Sequence, residues 1–336
     1  MTPAAATPRE KAADNLVLLP GSRAEDFGIF VPAIASILAA ADGEHSVWEL
    51  LNRLDLQYER AELAGLLRLL RQFPAKFRVC FTRDQLQTAI RSLGIESGDR
   101  IVLHTSLSSI GEIEGGAETY CRAWMEVISE EGMLLMPSFN FRDEPPKPGE
   151  PPWVYDPAVT PSRSGAVTEC FRRLPGVKRS LSPSHPVAGW GRGVEDLLKD
   201  HHTGAPFGEN SPLARLEKMG GKAVLVDCPR ANSFHHVVEQ SLEVHCLEAC
   251  GIKLPVRFPD GSVRDCPTWR WRYGVTCPVC DQAMEIEEMR RRHVLTSAKL
   301  GRAEVLIFRL AVCRQVTAGL LTGPGGCVAC PAGRGI

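Results

Sequence analysis

Asp99-Arg-Ile-Val-Leu-His104 is the stretch whose reading decides the architecture. Its continuous apolar centre, bounded by polar residues, reads as a strand buried on both faces. Outward from it, Gln85 to Leu93 has helical spacing and stops at Gly94, and Thr119 to Ser129 reads as a second helix. Gly132-Met-Leu-Leu-Met136 and Lys222-Ala-Val-Leu-Val226 repeat the buried-strand pattern, and a helix carrying His236 and Glu239 follows the latter. Strands alternating with helices predict an α/β domain, a layered sheet with flanking helices. Arg142 to Val154 holds too many prolines for either element and reads as a loop near the substrate.

Upstream, residues 1–15 read as a flexible terminus and residues 16–82 as a separate small helical domain. Val31, Ile34, Ile37 and Leu38 repeat at helical spacing up to Asp42-Gly43, and Ser46 can cap a second helix with Val47, Leu50, Leu51 and Leu54. A third runs from Arg60 to Arg71, with Leu63, Leu66, Leu67 and Leu70 on one stripe, before a strand at Lys76–Phe81. Three short helices and a strand hairpin predict a winged-helix-like domain. At Leu38-Ala-Ala-Ala-Asp-Gly43 and Val47-Trp-Glu-Leu-Leu51 this unit resembles the domains that recognise leader peptides in peptide-modifying pathways. A helical cap packed on the larger domain is the alternative. The larger domain occupies residues 83–336.

With 336 residues, 44% of them hydrophobic, the chain can bury a substantial core. It has no run of the ~20 apolar residues needed to span a membrane, and its opening is not a signal peptide. A cytoplasmic location without membrane association is the expectation. The net charge of -1 gives no reason to expect nucleic-acid binding. The 12 cysteines then need an explanation other than disulfides.

Arg179-Ser-Leu-Ser-Pro-Ser-His185-Pro-Val-Ala and Asn232-Ser-Phe-His-His236-Val-Val-Glu239 carry the candidate chemistry. The first sets a histidine in a hydroxyl-rich, Pro-flanked loop. The second puts His236 and Glu239 on one helix face. Such a set can take a proton from a weak nucleophile and hold the base in one orientation.

Five ordered blocks resemble the aminoglycoside 3-N-acetyltransferase family: His104-Thr-Ser-Leu107 with Gly111, Gly115-Gly-Ala-Glu-Thr119, Gly132-Met-Leu-Leu-Met-Pro137, Asp156-Pro157 with Thr160-Pro-Ser162 and Gly165, and Glu169-Cys-Phe-Arg-Arg-Leu-Pro-Gly176. Arg179-Ser180, His185, Gly208-Glu-Asn-Ser-Pro212, Gly221-Lys222 and the His236–Glu239 pair continue the order. The resemblance implies transfer of acetyl from acetyl-CoA to an amine by direct attack, without an acyl-enzyme. By family position His185 is the base. Glu239 orients a histidine or holds the cationic amine, His236 lies beside it, and Ser233, where the family usually has Thr, donates to the developing oxyanion. Thr105, Ser106, Ser108, Ser109 and Gly111 follow a buried strand and can cradle the coenzyme pyrophosphate, with Arg179 beside Ser180 as the cation. Asp143, Asp156 and Glu169 are candidate carboxylates for a polycationic acceptor. The chain departs from the family at Ser182-Pro183, which replaces a His-Pro, at Pro186, which replaces a Ser, and at Met133, which replaces a Thr.

Near the C-terminus, Cys277-Pro-Val-Cys280 and Cys327-Val-Ala-Cys330 have the spacing of two zinc knuckles, and buried reduced thiols explain them equally well. Three functions fit these residues. The first is an N-acetyltransferase acting on an aminoglycoside or related small molecule, in resistance or biosynthesis. The second is an N-acyltransferase for a peptide amine delivered by the N-terminal domain. The third is a non-catalytic binding or regulatory protein. A homodimer is the oligomeric state entertained.

Overall fold

Alternating side chains along the central strands sort themselves onto two faces, and each face has its own core. The computed structural model describes residues 16–18, 77–142, 144–244, 247–271, 282–324 and 326. In chain order the first elements are β1 (Leu16–Leu18), β2 (Phe77–Phe81), α1 (Arg83–Ser92), β3 (Arg100–Thr105), β4 (Glu112–Ile113), α2 (Gly116–Ile128) and β5 (Met133–Pro137). Next come α3 (Ala166–Phe171), β6 (Lys178–Arg179), β7 (Val187–Gly191), α4 (Val194–Leu198), α5 (Pro212–Lys218) and β8 (Lys222–Val226). The chain continues through α6 (His235–Ser241), β9 (Leu247–Arg257), β10 (Val263–Trp271), α7 (Gln282–Arg291), β11 (Thr296–Leu300), β12 (Ala303–Arg309) and α8 (Leu310–Thr322).

The main sheet has seven strands in the order β11-β12-β8-β3-β5-β7-β6. β3 is central and parallel to both neighbours, with Ile101 opposite Leu134 on β5 and Leu103 opposite Val224 on β8. Both flanks are antiparallel, β12 on β8 and β7 on β5. Ile101, Leu103, Leu134, Met136, Val224 and Val226 point to a core shared with Leu86 and Ile90 of α1, Tyr120 and Trp124 of α2, and Phe171 of α3. Their neighbours Val102, Met133, Leu135, Ala223 and Leu225 point the other way, against Leu197, Leu213, Val237, Val238 and Val316 from α4, α5, α6 and α8. This period of two, buried on both sides, makes the strands continuously apolar.

Local sequence sets the element ends. Thr82 and Gln85 form a reciprocal capping box that opens α1. Ser211 caps α5, whose first residue is Pro212. Gly191 ends β7 at φ +108, and a Cβ there would fall 2.1 Å from the Gly132 carbonyl oxygen, so no other residue fits without moving β5.

The strand expected at Lys76–Phe81 is β2, but its pairing crosses the expected boundary at residue 82. It lies antiparallel to β1 and parallel to β4 of the larger domain. Phe81 is buried in the first core. The helices expected between residues 19 and 76 lie outside the described residues, as do Asp143, Cys277, Cys280, Cys327 and Cys330. Among the described residues no group of His, Cys, Asp and Glu could hold a metal ion. No described helix is long and apolar enough to cross a membrane. Residues 144–154 form the expected irregular loop, and beyond it β9 and β10 make a hairpin over Tyr155, with Val256 and Cys266 in a third small core.

Candidate active site

The carboxyl ends of β3, β5 and β8 open onto a cavity of about 640 Å³, where parallel strands commonly present a site. His104 and Thr105 end β3, Met136 and Pro137 end β5, and Cys228, Arg230 and Ala231 follow β8. Arg163, Ser164, Val167 and Thr168 form another wall, and Ser233, His236 and Glu239 enter from the start of α6.

Glu239 lies three residues after His236 and four after His235, so helical geometry brings both rings to one carboxylate. His236 Nδ1 is 2.6 Å from Glu239 Oε2, and His235 Nε2 is 3.3 Å from Oε1. Burial alone would raise the Glu239 carboxyl, but His236 and His235 beside it hold it well below the usual carboxylate range. An ionised carboxylate only accepts hydrogen bonds, so His236 Nδ1 carries the proton and Nε2 is its basic nitrogen.

Behind this pair the chain of charges continues. His235 Nδ1 is 2.6 Å from Oε2 of Glu285, which arrives on α7. Glu285 Oε1 accepts from Asn232 Nδ2 at 2.5 Å and Oε2 from Thr317 Oγ1 at 2.6 Å. Burial disfavours a charged ring at His235, yet Glu239 and Glu285 push its pKa up to about 10. His235 is 1% exposed, and its partner Glu285 is supplied from another helix.

His185 is placed differently. It is 2% exposed, edge-on to Phe139, Phe141 and Phe207, with Nδ1 2.9 Å from Ser184 Oγ. It does not line the cavity. The Phe207 ring touches both His185 and His236, with centroids 5.5 and 5.2 Å away. Burial, with His236 and His201 nearby, lowers the His185 pKa to about 3.

The other expected site residues separate into two groups. Thr105 and Ser233 join His236 and Glu239 at the cavity. Ser106, Ser108, Ser109 and Gly111 do not line it, and the Ser106 and Ser109 hydroxyls bond to each other at 2.7 Å. Arg179 donates to the carbonyls of Thr160 and Ser138 and lies over the Tyr155 ring, which makes it a brace between loops. Ser180 bonds His201 Nδ1 at 2.8 Å and accepts from the Val187 amide at 2.9 Å. Glu169 is held by Arg172 and Arg173 and accepts from the Ser162 amide, and Asp156 pairs with Arg257 at 3.1 Å. Neither carboxylate lines the cavity. Arg163, Arg230 and the His235–Glu285 contact have no local signal in the sequence, and His104 stands there as the end of a strand without an assigned role.

The buried histidines make stability pH-dependent. His104 and His185 are lowered to about 3 and His201 to about 4, mainly by burial. Unfolded, each binds a proton near pH ~6.5, so the unfolded state holds more protons between that pH and the folded values. Stability therefore falls as pH drops through this window. His235, raised to about 10, works the opposite way: its contribution is complete below ~6.5 and is lost as pH rises toward 10. Melting temperatures are expected to decline steadily below about pH 6.5. A constant melting temperature down to about pH 4 would contradict the buried, neutral state of these rings.

Residues 102–322 match the profile of a family described as aminoglycoside 3-N-acetyltransferase. Aminoglycoside N(3)-acetyltransferase VII of Streptomyces paromomycinus is 35% identical over 162 residues, 44% of this chain and 56% of that protein. The prophage-derived aminoglycoside N(3')-acetyltransferase-like protein YokD of Bacillus subtilis is 34% identical over 151 residues, 40% of this chain and 56% of its own length. The chain thus spans little more than half the length of these curated relatives. Among solved structures, the AAC-IIIb binary complex with CoASH superposes with a TM-score of 0.62 at 22% identity, over 71% of this chain and 95% of that one. AAC-VIa bound to sisomicin gives 0.63 at 22% identity, over 73% and 98%. These two likenesses establish a common fold.

Proposed function

The chain belongs to the aminoglycoside 3-N-acetyltransferase family, and from that premise we propose that it transfers acetyl from acetyl-CoA to an amine of an aminoglycoside or related small molecule. The observation that carries the mechanism is the His236–Glu239 pair, set at the mouth of the parallel strands with the imidazole toward the cavity.

An amine near neutral pH is largely protonated and must be made nucleophilic before it attacks a thioester. In this reading His236 Nε2 takes a proton from the amine, while Glu239 fixes the ring and stabilises the resulting imidazolium. The amine nitrogen forms a bond to the thioester carbonyl carbon, the carbon–sulfur bond breaks, the thiolate takes the imidazolium proton, and the second N–H proton of the adduct passes to water, leaving the neutral amide. Ser233, on the same wall, is the hydroxyl for the developing oxyanion. Arg163 and Arg230 bring positive charge to the cavity, which suits coenzyme phosphates. Acetylation removes one positive charge from an aminoglycoside, and that change serves resistance or biosynthesis alike.

A second reading keeps His185 as the base. It is favoured by the family position of that residue and by Phe141, which covers its ring yet is 48% exposed at the cavity. In that reading Phe141 moves aside to open a path toward His185.

The test is thiol release from acetyl-CoA by the purified chain against a panel of amines that includes sisomicin and gentamicin. Release that depends on the amine, together with calorimetric binding of acetyl-CoA, is the expected result. Failure to bind acetyl-CoA would overturn the acetyltransferase reading.

A further inference from the structure

Four ionisable side chains run in line from the cavity into the protein: His236, Glu239, His235 and Glu285. The contacts are 2.6 Å from His236 to Glu239, 3.3 Å from Glu239 to His235 and 2.6 Å from His235 to Glu285. The last three are buried, and Glu285 is 1% exposed. A carboxylate in that position is expensive to bury, and a structural helix contact would be made more cheaply by apolar residues. Three donors nevertheless converge on it: Asn232 Nδ2 from the loop before α6, and Thr317 Oγ1 and Cys313 Sγ from α8. That arrangement holds one carboxylate at one end of one imidazole.

We propose that Glu285 is a positioning residue for acyl transfer, clamping His235 as an imidazolium so that the Glu239 carboxylate is fixed and partly neutralised behind His236. The proposal rests on the reading of His236 as the base. Its physical content concerns charge. With His235 positive, Glu239 is shared between two rings and grips a proton on His236 less tightly. With His235 neutral, the whole negative charge of Glu239 faces His236 and favours its imidazolium, which cannot accept a proton. The ionisable groups facing His235 are His236 and Glu239 on its own helix and Glu285 on α7, and the Cys313 thiol on α8 contacts Glu285 in turn. Burial raises the Cys313 thiol well above its usual range, so it remains a neutral donor.

Glu285→Gln removes the charge and preserves the shape. Two measurements separate the clamp from its catalytic consequence. Nitrogen NMR of the histidine rings in the unliganded protein, with His235 assigned by the loss of its signals in His235→Gln, reads the charge of that ring without turnover. The His235 signals of the wild type are expected to remain those of an imidazolium from about pH 6 to 8, and in Glu285→Gln to titrate within that range. Rates against pH form the second measurement. The acid limb of kcat/KM is expected to move up by about one pH unit in Glu285→Gln, with a loss on the order of tenfold near neutrality and recovery at higher pH. His235→Gln removes the same positive charge and is expected to move the limb in the same direction.

A wild-type His235 that titrates like an exposed histidine would overturn the clamp. A rate lost equally at every pH in both variants would also overturn the proposal, since a packing defect does not recover with alkali. Full activity of His236→Ala would remove the base assignment and this role with it, while the NMR titration of His235 would still report whether the clamp exists.

Discussion

His236→Ala is expected to lower kcat/KM by about 10²–10⁴-fold, the usual effect of removing a positioned general base. The loss should fall on kcat, because the ring does its work as the proton moves. Acetyl-CoA affinity measured by calorimetry should stay near wild type. The expectation follows from three facts. His236 lines the cavity, its Nδ1 meets Glu239 at 2.6 Å, and its side chain remains 18% exposed while Glu239 is buried at 2%. A base must reach the proton it takes, and an oriented, partly open ring meets that condition. His185→Ala, measured alongside, separates the two assignments. A large loss in His185→Ala with near-normal turnover in His236→Ala would transfer the role to His185 and require Phe141 to move aside. Equal, severe losses in both would indicate that the two rings act as a unit across Phe207.

Trp124→Ala is expected to destabilise the fold by about 3–5 kcal/mol, read as a shift in the urea midpoint at unchanged slope. Trp124 is among the largest fully buried side chains, at 0% exposure, and packs edge-on against Tyr120 with ring centroids 6.3 Å apart. It lies in the core that joins α1, α2 and α3 to the sheet. Its removal empties the space beneath α2 without touching the cavity wall, and a rigid sheet on one side limits collapse into the void. Against a total stability of about 5–15 kcal/mol the loss is large enough to read without ambiguity. A shift under about 1 kcal/mol would mean that the α2 face repacks readily.

Thiol release, the acid limb of the melting curve and the Glu285→Gln profile test successive layers of the same site: what it transforms, how it is buried and how it is charged. Their outcomes are separable, because only the first and last require turnover.

The residues that could be read in advance share one property: their signal is local. Lys222–Val226 was legible as a strand because five consecutive residues announce a buried element, and its bounds in the structure are the same. The helix expected at Thr119–Ser129 begins at Gly116, and the strand expected at Asp99–His104 is Arg100–Thr105. The antiparallel flanks gave no such warning. β7 and β12 are placed by pairing with β5 and β8, a relation between distant segments that no local pattern encodes. Arg179, Ser180, Glu169 and Asp156 illustrate the same limit for chemistry. Their types suit a ligand, and the fold also gives each a partner inside the protein that no local pattern announces.

By itself the sequence determined the α/β class, the positions of the buried strands along the chain and the one-face pairing of His236 with Glu239, because a period of two or three to four residues fixes which side chains share a side. Tertiary structure alone decided that His236 opens to the cavity while His185 lies behind three aromatic rings. It also brought Glu285 to His235 across 50 residues of chain. Charge and burial act through distance in space, and the packing of α8 on α6 and of α7 on α8 sets that distance.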